Sequence, residues 1–570
     1  MILLAAQLVL LLLVCCCGPG LLLVGRLRWS PMEKLCGAFA ASFIFIYLAS
    51  FVLFCLNAGT GAYWAVTGFF GLMGIAGWRT VALFIHRRET RTVLLVFVVV
   101  ASWEFLHLAM IHAYGGGGWG GDWHEHYDRT RFFLHQLPVG YQFLGRYSLA
   151  ARPPMMNLMA AFFCRQVGLS FEAFSLVFLV LNAWAFVPCG LLLRRIAPRG
   201  RGLEWVLAAL FMLNPSIMQN ATYTWTKAFA AGWVVMGVCF YMRRRIGAAA
   251  ISLAAGMLVH YSAAPFALAV GLHCFFSRFW RIRELPRAIA AALAGVALLA
   301  TWFVWSVWYL GIKTTFASPA LTSGAPDDSV GENIRRIAYN LFTSLVPHVL
   351  HSMGSDPNST VLRNVHNWRN LRDYYFTMAQ TSLPTMIGLT GGVIVAGVVL
   401  RMFWRGNGLH VREKGFWLFF LLFGCVVGTA ANDNWDAPGS AHLALQPLAL
   451  MGVTLLAAWL PSARPALFRV VMVGLAVDYC LGILLHFNRE SLVPQAIVSS
   501  GQLDFILDPE IGRNTINEYT AKLHGGYVFW GDHLAEIGPA LQLASIVTAV
   551  GLLWILSRAH TANKNHKLWK

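Results

Sequence analysis

The densest concentration of chemistry-bearing side chains in this 570-residue chain is Asp122-Trp123-His124-Glu125-His126-Tyr127-Asp128-Arg129. It follows Gly115 to Gly118, Trp119, Gly120 and Gly121, and glycines allow backbone turns that other residues cannot make. Beyond Gly121, the spacing of Phe132, Phe133 and Leu137 predicts an amphipathic helix lying along a membrane surface. On that helix Asp122, Glu125 and Arg129 share one face, and His124, Asp128 and Arg131 share a neighbouring one. Carboxylates gathered there suit a general base or a bound divalent cation such as Mg or Mn, with Asp122 and Glu125 as its ligands. A solvated helix face carrying i, i+4 ion pairs accounts for the same pattern. Zinc is disfavoured, because His124 and His126 stand two apart and point to different faces.

Cations that could meet a phosphate come next. Arg152-Pro153-Pro154 precedes a short apolar run at Met159 to Phe163, too short to span a bilayer, so it predicts a segment that dips in and returns. Arg152 then falls at headgroup level, where a guanidinium suits a pair of phosphate oxygens and where ordinary snorkelling also places arginines. Lys227 stands at the predicted outer start of a span, a costly place for a charge without a use. A second polar concentration, Asn432 to Ser440 with Asp433 and Asp436, then His442, suits sugar hydroxyls; a tight turn between helices explains it equally.

The elements that must position these residues are membrane helices. Hydrophobic residues make up 58% of the chain and charged residues only 12%, against about 25% charged in a soluble domain. This excludes a water-soluble globule. Apolar runs of roughly the length a span needs fall at 2–24, 36–56, 64–85, 92–113, 172–193, 203–220, 226–242, 246–260, 262–277, 288–310, 381–400, 416–431, 441–460, 468–487 and 541–557.

Threading these runs through a bilayer puts 27 of the 43 Lys and Arg, and only four of the 25 Asp and Glu, on one set of connections. By the positive-inside rule those loops are cytoplasmic. The net charge of +18 therefore reports orientation, and a nucleic-acid partner loses its support. The long loops fall on the outer side, at 114–171, 311–380 and 488–540, where chemistry is expected. All eleven cysteines lie in apolar stretches, so no disulfide framework is indicated.

An acidic motif in the first outer loop, a surface helix, then a basic-Pro-Pro segment with an apolar continuation resembles the GT-C superfamily of membrane glycosyltransferases. The pattern is most similar to the branch holding protein O-mannosyltransferases and the lipid A aminoarabinose transferase. The matching positions are Asp122 with Glu125, and Arg152-Pro153-Pro154. Family members commonly set the second acid beside the first, whereas Trp123 follows Asp122 here.

The resemblance implies an all-α polytopic membrane protein, a GT-C-like bundle of about 13 to 15 transmembrane helices with short amphipathic helices in its outer loops. It divides the chain into N-terminal extra helices (1–91), a core with the catalytic first outer loop (92–310, loop 114–171) and a large outer loop (311–380). Further helices (381–487), a C-terminal outer loop (488–540) and a last helix with a basic tail (541–570) follow.

The implied reaction transfers a sugar from a polyprenyl-phosphate donor to a glycan, lipid or protein acceptor on the extracytoplasmic face, with inversion. Asp122 would be the base and Glu125 its assistant. Lys227, Arg152 and Arg129 would bind the donor phosphate; Asp128, His124, Tyr127, Asp433, Asp436 and His442 would contact substrate. The bacterial inner or plasma membrane is the expected location. A lipid-linked-oligosaccharide ligase or polymerase is the alternative and would use arginines of 311–380; a transporter is disfavoured by the few intramembrane ionisable residues.

Overall fold

The computed structural model describes residues 2–111, 122–143, 147–198, 200, 202–278, 284–317, 329–347, 375, 379–380, 382–388, 397, 401, 411–430, 442–485 and 527–562. Its helices are α1 (Ile2–Gly25), α2 (Pro31–Cys55), α3 (Thr60–Ala76), α4 (Trp78–His86), α5 (Arg88–Leu108), α6 (Asp122–His135), α7 (Met155–Val167) and α8 (Phe171–Ala183). Then come α9 (Phe186–Ile196), α10 (Leu203–Met212), α11 (Pro215–Thr222), α12 (Lys227–Met242), α13 (Ile246–Val259), α14 (Ala264–Arg278), α15 (Leu285–Ala317) and α16 (Val330–Leu345). The remainder are α17 (Leu383–Ile387), α18 (Val411–Ala430), α19 (His442–Ala463), α20 (Pro465–Leu485) and α21 (Gly538–Ala562). Among the described residues the only strand-like pairing is one antiparallel bridge between Phe143 and Tyr147.

The chain is thus an all-helical, polytopic membrane protein. Of the fifteen apolar runs, eight lie in helices that, among the described residues, are long and apolar enough to cross a membrane, and α3 with α4, bent by 58° at their break, is either one broken span or a re-entrant pair. Five others fall in shorter apolar helices, and most of 381–400 lies outside the described residues. The shortening has local causes. Asn214 ends the run before α11: its Oδ1 accepts from Ile217 N at 3.0 Å and Pro215 follows as the first helical residue. His260 interrupts the run after α13 by accepting from Ser262 N at 3.1 Å.

Buried α12 is the centre of the bundle and packs on α8, α9, α13 and α19. The N-terminal helices belong to the same core. A Cβ at Gly20 would stand 1.8 Å from the carbonyl oxygen of Ala38, so glycine lets α1 and α2 touch backbone to backbone. α2 and α3 in turn hold α7: Ser50 donates to Leu158 O at 2.7 Å and Thr67 to the Gln166 side chain at 2.8 Å. Three helices with no evident part in the chemistry therefore brace the segment that carries Arg152.

Contacts between distant segments tie both ends of the bundle. At one end the loops 25–35 and 243–245 meet, with Arg243 and Arg245 3.7 and 3.5 Å from Glu33. At the other, Gln136 donates to Phe54 O at 2.9 Å and Gly531 N to Ile111 O at 3.0 Å. Trp302, Trp305 and Trp308 do not form the uniform interfacial belt their spacing suggests. Trp302 is fully buried and stacks on Trp305 at 5.2 Å, while Trp308 is 83% exposed.

Candidate functional site

At the second end, α6, the helical turn Leu149–Ala151, α7, α8 and the turn Tyr261–Ala263 converge. The predicted surface helix is not on the surface. From Trp123 to Thr130 every residue of α6 is buried, because both of its faces are occupied. One face is aromatic: Trp123 lies 5.0 Å from Phe171 and 5.8 Å from Phe529, and Tyr127 lies 5.3 Å from Phe174 and 5.2 Å from Tyr527. Gln136, at φ +55°, then ends the helix, and Arg165 at the far end of α7 donates to Leu134 O at 2.9 Å.

The other face carries an ion cluster. Arg129 Nε donates to Glu125 Oε1 at 2.8 Å, and its terminal nitrogens donate to Leu149 O at 2.9 Å and Ser148 O at 3.0 Å. Arg152 reaches the same carboxylate, its Nε 3.4 Å from Oε1 and its Nη2 3.3 Å from Oε2. Phe143 lies under the Arg129 guanidinium, 4.3 Å from ring centroid to Cζ, and Tyr261 donates to Ala150 O at 2.8 Å. One carboxylate therefore joins two guanidiniums from positions 129 and 152 and fixes the intervening loop to α6.

Burial alone would push the Glu125 pKa up, but Arg152 and Arg129, with a smaller contribution from His126, outweigh it and hold the group down to about 2. His126, also enclosed, is lowered to about 3, first by burial and then by the two arginines, against the pull of Glu125 and Asn157. It is therefore neutral at pH 7. Burial raises Tyr127 to about 12, so its phenol keeps its proton.

These surroundings bear on three expectations. Glu125 is enclosed with both of its carboxylate oxygens on guanidinium groups, so in this structure it braces cations. It does not suit a divalent cation, since both of its oxygens already receive guanidinium N–H groups. Among the described residues no group of three His, Cys, Asp or Glu stands close enough to hold a metal. Arg129 engages all three of its nitrogens within the protein, which does not suit a phosphate ligand. Arg152 differs: its side chain is 13% exposed, against 1% for Arg129.

The neighbouring face holds Asp128, which takes Arg131 at 3.1 Å and His124 at 3.4 Å. His124 Nε2 also meets the Tyr527 hydroxyl at 3.0 Å. Tyr527 and Phe529, just before the last helix, thus cover α6. The next turn is held by Trp530, which donates to Glu172 O at 3.0 Å, and by His533, 3.0 Å from the Glu172 carboxylate. Tyr127, His124 and Asp128 are therefore brought together, with Tyr527 as the partner supplied from 400 residues away.

Asp122 is the first residue of α6, and its side chain lies outside the described residues, as do Asp433, Asp436 and the side chain of His442. Lys227 is 3% exposed at the first position of α12, with Nζ 3.7 Å from the Trp225 ring. Asn182 of α8 ties that junction together: it donates to Asn220 O at 3.0 Å and Trp225 O at 2.7 Å and accepts from Phe229 N at 3.0 Å. One turn earlier on α8, Phe178 lies 5.9 Å from the His126 ring, so α8 spans the distance between the Lys227 junction and the ion cluster. Glu104 and His107 are buried below; His107 is bound to Trp103 O at 2.6 Å and to the Tyr479 hydroxyl at 2.9 Å, which fastens α5 to α20.

The sequence reading gave His126 no part in an ion cluster and missed Asn157, Tyr261 and the carbonyls of Ser148 and Leu149. Only tertiary contact reveals these, although the pairing of Glu125 with Arg129 was implicit in their i, i+4 spacing.

The site thus belongs to a polytopic helical membrane protein and holds a buried ion cluster at one end of the bundle. No protein-family model matches the chain, and no curated protein matches it. Among solved structures it is similar to two crystal structures of ArnT, the lipid A aminoarabinose transferase, from Cupriavidus metallidurans. One is bound to undecaprenyl phosphate, at 13% identity and TM-score 0.44, covering 83% of this chain and 77% of that one. The other, in the apo state, is 14% identical with TM-score 0.43, covering 84% and 78%.

Proposed function

We propose that this protein is a GT-C-type membrane glycosyltransferase that moves a sugar from a polyprenyl-phosphate donor to an acceptor hydroxyl on the extracytoplasmic face, inverting the anomeric carbon. Asp122 takes the proton of the acceptor hydroxyl as its oxygen attacks the anomeric carbon. The bond from that carbon to the lipid phosphate breaks, and the phosphate departs with the electron pair. Arg152 and Lys227 receive its negative charge.

The observation that carries this reading is the Glu125 clamp. It joins the helix that begins at Asp122 to the Arg152-Pro153-Pro154 segment and leaves Arg152 the partly exposed member of an otherwise buried ion cluster. A partly exposed guanidinium suits an oxygen of a phosphate. The acceptor's identity as glycan, lipid or protein is decided by residues beyond this clamp.

The test is Asp122→Asn in purified protein reconstituted with a polyprenyl-phosphate sugar. Loss of transfer by about a hundredfold or more, the contribution of one general base, with donor affinity unchanged, is the expected outcome. Near-normal transfer by the variant refutes the assignment.

A further inference from the structure

A loop joining two membrane helices at the end of a bundle normally meets water. The junction between α11 and α12 does not: Thr222, Tyr223 and Thr224 are 0% exposed and Trp225 and Thr226 1%. Thr224 adopts φ +59°, the left-handed region that a β-branched residue enters only under strain. Strain of this kind persists where surrounding structure enforces it, and it collects at functional sites.

What encloses the junction is a set of neutral amides. Asn220 Nδ2 donates to Gln380 Oε1 at 3.1 Å, Gln446 Nε2 to the same oxygen at 2.7 Å, and Gln380 Nε2 to Gln219 Oε1 at 3.0 Å. With Asn182 on the opposite side, the junction is held by side chains from α8, α19 and the Ala379–Gln380 segment. Yet the network leaves donors and acceptors unmet. Gln219 Nε2, Asn220 Oδ1, Thr224 Oγ1 and Thr226 Oγ1 are buried with no hydrogen-bond partner among the described residues, whereas buried polar groups are nearly always satisfied. Tyr223 and Trp225, with ring centroids 4.4 Å apart, supply aromatic surface beside them.

We infer that this junction is a subsite that recognises the hydroxyls of the donor sugar. An amide N–H, an amide carbonyl and two hydroxyls make a set of donors and acceptors without charge, which is the complement of a pyranose or furanose edge. Lys227, directly after Thr226, sets the lipid phosphate next to that sugar. The inference rests on the proposed transferase reading, since it takes the ligand to be the sugar of the phosphate-linked donor.

The experiment uses the full-length protein in detergent and measures its affinity for bare undecaprenyl phosphate and for the same lipid phosphate carrying mannose, glucose or arabinose. Wild type should bind at least one sugar-bearing lipid about tenfold more tightly than the bare one. Thr226→Val and Gln219→Met, each of similar size but lacking the polar group, should reduce that preference about fivefold each, the loss of one neutral hydrogen bond. Their affinity for the bare lipid should stay within twofold of wild type, and Thr226→Ser should keep the preference.

Absence of any sugar preference in wild type, or a preference that survives both substitutions, overturns the subsite. A parallel loss of affinity for bare lipid and sugar-bearing lipid also overturns it, because it marks a structural role. If wild type binds no polyprenyl phosphate, the transferase reading fails separately. Saturation-transfer NMR with free methyl glycosides then decides the subsite: contact in wild type that Thr226→Val abolishes supports it, and no contact overturns it.

Discussion

The carboxylate of Glu125 stands 3.3 Å from the Arg152 guanidinium, and this one contact turns two separate sequence motifs into a single site. The acidic cluster and the basic-Pro-Pro segment are joined through that carboxylate. Its value is electrostatic, because it is the counter-ion of Arg129, whose side chain is 1% exposed and would otherwise be an uncompensated buried charge.

Removing that charge should be felt first as instability. Glu125→Gln leaves the buried Arg129 and the partly exposed Arg152 guanidiniums facing a neutral amide, and breaking a buried pair from one side costs about 3–5 kcal/mol. A large fall in apparent melting temperature in detergent is expected, alongside loss of donor binding as Arg152 is released. Asp122→Asn should leave the melting temperature near wild type. Equal melting of Glu125→Gln and wild type contradicts the clamp.

The same cluster fixes a pH dependence. The folded pKa values of His126, about 3, and Glu125, about 2, both lie below their ordinary values of 6.5 and 4.5. In each interval the unfolded chain binds more protons, so stability rises with pH and is lost as pH falls. Loss should begin below pH 6.5 through His126 and steepen below pH 4.5 as Glu125 joins, each at a limiting slope of about 1.4 kcal/mol per pH unit. Melting curves of His126→Asn should lose the upper part of this slope and keep the lower; a pH-independent profile in wild type speaks against both assignments.

Lys227 offers a separable effect on the donor. Its ammonium over Trp225 is a desolvated cation–π contact, worth roughly 2 kcal/mol. Lys227→Ala should weaken binding of the lipid donor more than that of the acceptor, and Lys227→Arg should restore part of it. Equal weakening of both substrates argues against a phosphate role.

The cover over α6 is testable through one hydroxyl. Tyr527→Phe removes the contact with His124 at 3.0 Å and should cost about 1 kcal/mol, whereas Tyr527→Ala also strips the aromatic packing on Trp123 and Tyr127 and should cost roughly 3–5 kcal/mol. Thermal unfolding of the two variants side by side measures the difference. If the two variants melt together, Tyr527 does not pack on α6 as described.

The membrane class, the helical class and the local pairing of Glu125 with Arg129 were legible in the residues, because each depends on composition or on spacing within one helix. The burial of α6 was not, since its covering residues Phe171, Tyr527 and Phe529 come from distant parts of the chain. Nor could spacing foresee that Glu125 would be enclosed between two arginines. Spacing sets which side chains share a helix face, but the charge state and availability of a carboxylate follow from desolvation and neighbouring ions, and only packing supplies those.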